Sequence, residues 1–102
     1  MSRRRLKMSD ATAGLVRTLH PDLKRKVKAA FQAVLNDPRS GKALKDELEG
    51  LQSFKVGKFR IIYKTVSVKG IIEVVAIGPR KTIYEETLRI LQREKYEKTR
   101  HI

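Results

Sequence analysis

Six residues in the second half of the chain have the types and spacing to handle a phosphate. Lys55, Lys58, Arg60 and Lys64 fall in the stretch SFKVGKFRIIYKT, Ser53 to Thr65, and Arg80 and Tyr84 in IGPRKTIYE. An Arg offers a planar fork of donors that matches phosphate oxygens, and a Lys a flexible point charge. Cations that share a surface repel one another, so their grouping is the mark of an anion site. An aromatic ring beside them supplies a face for an unstacked base. Phosphate plus base amounts to single-stranded nucleic acid.

Convergence of these residues depends on the strands that carry them. From Ser53 the hydrophobic period is two: Phe59, Ile61 and Tyr63 alternate with Arg60, Ile62 and Lys64. If the first set faces a helical layer, the second faces away from it. Lys55 lies an odd number of residues from Arg60, so one unbroken strand would put them on opposite faces. The Gly57-Lys58 step is expected to bend or turn the chain and reset that phase. SVKG at Ser67 to Gly70 reads as a turn, and IIEVVAIG after it as a central strand covered on both faces. Antiparallel pairing across that turn sets the end of the second strand beside the start of the first. Arg80 then comes near Arg60, and Tyr84 folds over the same rim.

The first half supplies the layer against which such a sheet packs. MSRRRLKMS reads as a short strand with Leu6 and Met8 on one side, preceded by a basic arm. Ser9 or Asp10 can cap a helix with Ala11, Leu15 and Leu19 in register. LHPD breaks it, and Pro21 suits the first turn of a second helix. Leu23, Val27, Ala30, Phe31, Val34 and Leu35 share one face of that helix, with Lys24, Arg25, Lys26 and Lys28 around the rest. The short junction folds the two helices into an α-hairpin. RSGK is a loop, and ALKDELEGL a turn or irregular segment. PRKTIYEE leaves the sheet, and Leu88 and Leu91 begin a short terminal helix. The expected fold is α+β: an N-terminal α-hairpin on a small, twisted, mainly antiparallel sheet, closed by that helix. One domain over residues 1–102 is expected, with a mobile arm at about 1–5 and a mobile tail at about 94–102.

Composition narrows the function. The 102 residues include 24 Lys plus Arg against 11 Asp plus Glu, a formal charge of +13. A charge of this size on a small chain implies a polyanionic partner: nucleic acid, an acidic protein or an anionic membrane surface. Cysteine is absent and there are two His, which leaves no thiolate or His-rich metal site. No metal and no cofactor are expected. No apolar run approaches the ~20 residues that cross a bilayer, so no membrane partner is expected and the cytoplasm is the default location.

The same stretches carry a resemblance. Leu48-Glu49-Gly50-Leu51, Lys55-Val56-Gly57, Phe59-Arg60-Ile61-Ile62-Tyr63, Gly78-Pro79-Arg80 and Ile83-Tyr84 together resemble the RelE/ParE superfamily of toxins from type II toxin–antitoxin systems. The resemblance implies the RelE-like microbial RNase fold. It further implies a ribosome-dependent endoribonuclease that cuts mRNA by attack of a 2′-hydroxyl on the adjacent phosphate, and so inhibits translation. By position, Lys55 would be general base or electrostatic helper, and Arg60 would stabilise the phosphorane oxygens. Arg80 would face the leaving group, and Tyr84 would stack on or orient a nucleotide. Lys58, Lys64 and Lys81 would bind RNA. Lysine is a poor base at its ordinary pKa of ~10.4, and neighbouring cations lower that value. The implied partners are mRNA, the ribosome with its rRNA, and a cognate acidic antitoxin. Two departures stand out: Pro79 fills a place where many relatives have a basic or imidazole residue, and Ser53 one where some have a second Lys. ParE-like members of the superfamily bind DNA gyrase and cut no RNA, which is one alternative function; a catalytically degenerate relative that only binds nucleic acid or an antitoxin is the other.

Each residue also has a plainer reading. Arg60 can pair with Glu73 across the hairpin. Lys55 and Lys58 can be solvated lysines, and Tyr84 can cover a sheet edge. Tyr63 reads as core and His20 as a cap. Arg80, just past a Gly-Pro bend, is hardest to explain by structure alone.

Overall fold

The computed structural model describes residues 4–66 and 70–100, with side chains described as far as residue 95. The elements run β1 (Arg5–Met8), α1 (Asp10–Thr18), α2 (Pro21–Asn36), β2 (Lys42–Ala43), β3 (Gln52–Val56), β4 (Phe59–Val66), β5 (Ile71–Pro79) and α3 (Arg80–Arg100). Two 3₁₀ turns, Pro38–Ser40 and Asp46–Leu48, flank β2. The five strands form one sheet in the order β1-β5-β4-β3-β2. Only β1 against β5 is parallel; the other pairs are antiparallel. The fold is α+β, with three helices and this mixed sheet.

Local chemistry sets the hairpin of α1 and α2. Ser9 caps α1 by accepting the Thr12 N–H at 3.1 Å. His20 caps α2 in the same way, its Nδ1 accepting the Asp22 N–H at 3.3 Å with Pro21 at the first helical position. Val27, Ala30, Phe31 and Val34 of α2 are buried against Ile61, Tyr63, Ile72, Val74 and Ile77 of the sheet. Leu6 and Met8 of β1 join that face, as their alternation predicts.

The other face of the sheet is covered by α3. Leu51, Ile62 and Ala76 pack there with Ile83, and Leu44, Leu48, Tyr84, Ile90 and Leu91 surround them. A β-bulge makes both cores possible. Ile62 stands opposite Ala76 and Tyr63 opposite Val74, so Val75 is the extra residue. Val74 and Ile77 thereby face the hairpin, while Val75 and Ala76 face α3.

Two expectations change, and of the bend or turn expected at Gly57-Lys58 the structure has the turn. The basic stretch from Ser53 is two strands, because a two-residue turn at Gly57-Lys58 folds β3 back on β4. Gly57 has φ +58°, the left-handed backbone that a type II′ hairpin turn wants at its first central position. The terminal helix is long, with 21 residues, and starts at Arg80 directly after the strand. Its inward stripe is Ile83 and Thr87, both buried, with Ile90 and Leu91 partly buried, and a polar residue in that stripe hides the period. Thr87 is fully buried, and its hydroxyl donates to the Ile83 carbonyl at 2.7 Å. Lys42 and Ala43, read as loop and irregular segment, add a fifth strand by pairing with Ser53 and Gln52. The expected arm at 1–5 lies outside the described residues up to residue 3, and Arg5 opens β1. Of the expected tail, 94–100 continue α3, and 101–102 lie outside the described residues. The expected turn at Ser67 to Gly70 lies outside them except for Gly70.

Candidate phosphate-binding hollow

The β3–β4 turn answers the parity problem posed by Lys55 and Arg60. Val56 pairs with Phe59 across the turn, so Lys55 stands directly opposite Arg60. Directly opposed residues share a face of the sheet. Arg60 in turn stands opposite Gly78 of β5, and Phe59 opposite Pro79. The row Lys55–Arg60–Gly78 thus crosses three strands on the α3 face. Arg80 follows Gly78 by two residues and opens α3. Its backbone N–H donates to the Lys58 carbonyl at 2.8 Å, which moors the start of the helix on the hairpin turn.

These elements enclose a hollow of about 570 Å³ lined by Lys55, Gly57, Lys58, Arg60, Pro79, Arg80 and Lys81. Five of the seven are cations. Among the described residues none of the five has a carboxylate partner; the ion pairs are Arg25–Asp22 and Lys64–Glu73. An acid does approach the rim, since Glu86 Oε2 lies 3.7 Å from where a Cβ on Gly78 would stand, yet it bonds none of these cations. Two like charges about 7 Å apart repel by about 0.6 kcal/mol in water, and by more near a protein surface. The start of α3 adds to the field, because its first turn holds no acid and helix N-termini are positive. The hollow is therefore built to attract an anion.

Arg60 is held in place without a carboxylate. Its Nη1 donates to the Gly57 carbonyl at 3.1 Å and to the Phe59 carbonyl at 2.9 Å. One nitrogen is spent on the turn, and Nε and Nη2 stay available for phosphate oxygens. Pairing with Glu73, the plainer reading, does not occur: Glu73 Oε1 sits 3.7 Å from Lys64 Nζ instead.

Tyr84 and Lys64 stand apart from the hollow. Tyr84 is one helical turn beyond Arg80, with its ring against the α3-side core and its hydroxyl 3.2 Å from Ser53 Oγ. Ser53 and Lys55 share a face of β3, so the phenol lies beside the hollow and outside its lining. Lys64 is at the other end of β4, opposite Glu73. Tyr63 is core, as read, with its hydroxyl donating to the Pro38 carbonyl at 2.7 Å and accepting the Gly41 N–H at 3.0 Å. Sequence reasoning missed Gly57 and Pro79 as walls of the hollow. Their signal was present in the turn chemistry, but read as punctuation. No cluster of metal-ligating side chains occurs among the described residues, and none of their helices is long and apolar enough to cross a membrane.

Comparison with known proteins bears on the family and the fold. A family model described as the ParE toxin of type II toxin-antitoxin system, parDE, matches residues 11–84. Toxin RelE of Mycobacterium tuberculosis is 36% identical over 59 residues, 57% of this chain and 61% of that protein. The match therefore spans about three-fifths of that relative's length. Among solved structures, a mutant of E. coli toxin RelE in the free state superposes with TM-score 0.69 at 19% identity, covering 84% of this chain and 95% of that one. The toxin–antitoxin complex RelBE2 from M. tuberculosis gives 0.65 at 23%, covering 76% and 98%. The archaeal RelE–RelB complex from Pyrococcus horikoshii gives 0.63 at 20%, covering 78% and 97%. At these identities the solved structures speak to the fold.

Proposed function

The chain belongs to the family of ParE toxins of type II toxin–antitoxin systems, and on that premise we propose that it acts as a ribosome-dependent endoribonuclease that stops translation by cutting mRNA. The observation that carries this reading is the meeting of Lys55, Arg60 and Arg80, from three elements, on one hollow, with no ion pair to any of them among the described residues. A gyrase-binding surface has no need of such a cup; a scissile phosphate does.

The step is an in-line displacement. The 2′-oxygen of one nucleotide forms a bond to its own 3′-phosphorus, and the bond from phosphorus to the next 5′-oxygen breaks. Lys55 receives the 2′-hydroxyl proton or, while charged, draws the oxygen toward its attack as that proton passes to water. Arg60 meets the phosphorane oxygens with Nε and Nη2. Arg80 steadies the departing 5′-oxygen, which takes its proton from water. The products are a 2′,3′-cyclic phosphate and a 5′-hydroxyl. Preorganised positive charge favours the dianionic transition state over the monoanionic ground state. Lys58 and Lys81 bind the flanking backbone, and Tyr84, held by Ser53, orients a nucleotide at the edge. Lys64 is committed to Glu73. The remaining basic surface contacts rRNA, with the salt dependence such contacts bring. A cognate acidic antitoxin neutralises the surface; proteins of this fold have been solved in complex with antitoxins. These steps take place in the cytoplasm.

A second reading has one observation behind it: the matching family description is that of ParE toxins. In that reading the chain inhibits DNA gyrase and cuts no RNA. One experiment separates the two. The chain is induced alone, and mRNA integrity, translation and DNA synthesis are followed side by side. The nuclease reading expects cut mRNA and early arrest of translation, both abolished by Arg80→Ala. Intact mRNA with early loss of DNA synthesis transfers the case to gyrase.

A further inference from the structure

On the β3 side of the hollow, the α3 face of the sheet holds a further cation that no ion pair among the described residues involves. β2 contributes Lys42, which stands directly opposite Ser53. Opposed residues share a face, so Lys42 lies on the face of Ser53, Lys55 and Arg60. Its neighbour two residues on supports the same orientation, because Leu44 packs into the α3-side core. Lys42 is exposed, and no ion pair among the described residues involves it. Ser53 between the strands is not idle: its hydroxyl bonds the Tyr84 phenol at 3.2 Å. The order across the face is therefore Lys42 at the sheet edge, the phenol over Ser53, and then the hollow. Lys42 and Lys55 are diagonal neighbours on adjacent strands, with Cα atoms about 7–8 Å apart.

We propose that Lys42 is a further RNA-binding residue that holds the phosphate next to the one seated in the hollow, across the Tyr84 ring. The inference rests on the reading of the hollow as a phosphate site. A single strand leaving the hollow along this face passes an aromatic edge and then a cation, the alternation that single-strand binding surfaces use. Lys42 acts on binding and touches no reacting atom, so it contributes to KM and leaves kcat alone.

The test measures binding of an RNA hexanucleotide, blocked against cleavage by a 2′-deoxy substitution, across a salt series. Wild type, Lys42→Ala and Lys42→Arg are compared. Lys28→Ala, an exposed cation on α2, controls for net charge. Lys42→Ala is expected to weaken binding about 2- to 5-fold, the scale of an exposed ion pair. It should flatten the salt slope by about 0.7, the loss of one single-strand phosphate contact. Lys42→Arg should restore both. A dinucleotide with one phosphate should bind wild type and Lys42→Ala alike. The proposal is overturned by an unchanged slope, by an equal change in Lys28→Ala, by an equal penalty on the dinucleotide, or by a wild type that does not bind the hexanucleotide. Cleavage on programmed ribosomes is scored separately. A wild type that binds as described but leaves mRNA intact overturns the nuclease reading and leaves Lys42 standing.

Discussion

The β4–β5 ribbon has two ends that carry similar residues and treat them differently. At one end Lys64 stands opposite Glu73, with the charges 3.7 Å apart. At the other Arg60 stands opposite Gly78, in no ion pair among the described residues, beside Lys55 and Arg80. Both cations are on β4, face α3 and are partly exposed. The difference lies in the facing strand and in what the chain does next. One end runs toward the Ser67–Gly70 region, the other into the turn that starts α3. A cation given an acid is part of the surface; cations gathered without one are kept for an external anion.

The largest effect should come from the unpaired end. Arg80→Ala is expected to lower RNA cleavage by about 10²–10³-fold, the scale of removing one preorganised transition-state donor. Stability should change by no more than about 0.5 kcal/mol, because the exposed side chain is in no ion pair among the described residues and the backbone tie to Lys58 persists. Primer extension on ribosome-bound mRNA measures the first and thermal unfolding the second. A large fall in unfolding temperature would turn Arg80 into a structural residue and erase the contrast.

The contrast can also be cancelled by giving the hollow an acid. Lys58→Glu changes the local charge by two units. At about 7 Å in water that is worth about 1.2 kcal/mol, or about a tenfold loss of RNA affinity. The salt slope should flatten with it. The Lys58 carbonyl still accepts from Arg80, so the fold should hold. Affinity unchanged in filter binding would mean that the phosphate sits elsewhere.

How much of this was legible in the chain varies with the kind of signal. Phe59, Ile61 and Tyr63 announced their face by alternation, and the helix from Pro21 announced its own by period. Arg80 near Arg60 followed from antiparallel pairing alone. Lys55 beside Arg60 needed the turn at Gly57 to be taken as a full reversal, since a bend and a hairpin look alike in a Gly-Lys pair. The start of α3 was hidden by Thr87, a polar residue in a buried stripe that satisfies its hydroxyl on its own helix. Lys42 was invisible because two residues of strand carry no period; only register places them. The ion pair of Glu73 is likewise a fact of register: Arg60 and Lys64 share a face, and pairing decides which meets the acid.

A buried site sharpens the contrast from the opposite side, since Tyr63 is a polar group used wholly for structure. Tyr63→Phe leaves the Pro38 carbonyl and the Gly41 N–H without their partner and should cost about 1–3 kcal/mol. Gly41→Ala should also destabilise by about 1–3 kcal/mol, because its Cβ would fall 2.5 Å from the Tyr63 hydroxyl. Burial raises the Tyr63 phenol above its ordinary 10.0. The folded state then holds that proton more tightly than the unfolded chain. The stabilisation is complete below the unfolded value and is lost as pH rises through the folded one. Urea unfolding at pH 9 and pH 11 should show a steeper loss for the wild type than for Tyr63→Phe. Equal losses would mean that the phenol ionises freely.

The smallest effect belongs to the paired end. Lys64 and Glu73 are both partly exposed, and such pairs are worth about 0–1 kcal/mol. Lys64→Ala should therefore shift unfolding by less than about 1 kcal/mol and leave cleavage within about twofold, since an exposed pair outside the hollow contributes on that scale. Glu73→Gln is the sharper variant, because it removes the acid and keeps the cation. If the two ends differ only in their acid, freeing Lys64 should make it a phosphate contact, and the salt slope of RNA binding should steepen by about 0.7. If they differ in shape as well, the slope stays where it was, because Lys64 has no hollow around it. The geometry favours the second outcome. Arg60 is aimed by two carbonyls of a tight turn and flanked by the start of α3, whereas Lys64 extends from an open strand. An unchanged slope in Glu73→Gln would show that losing an acid is not sufficient to make a site, and that the turn at Gly57 is the part that cannot be spared.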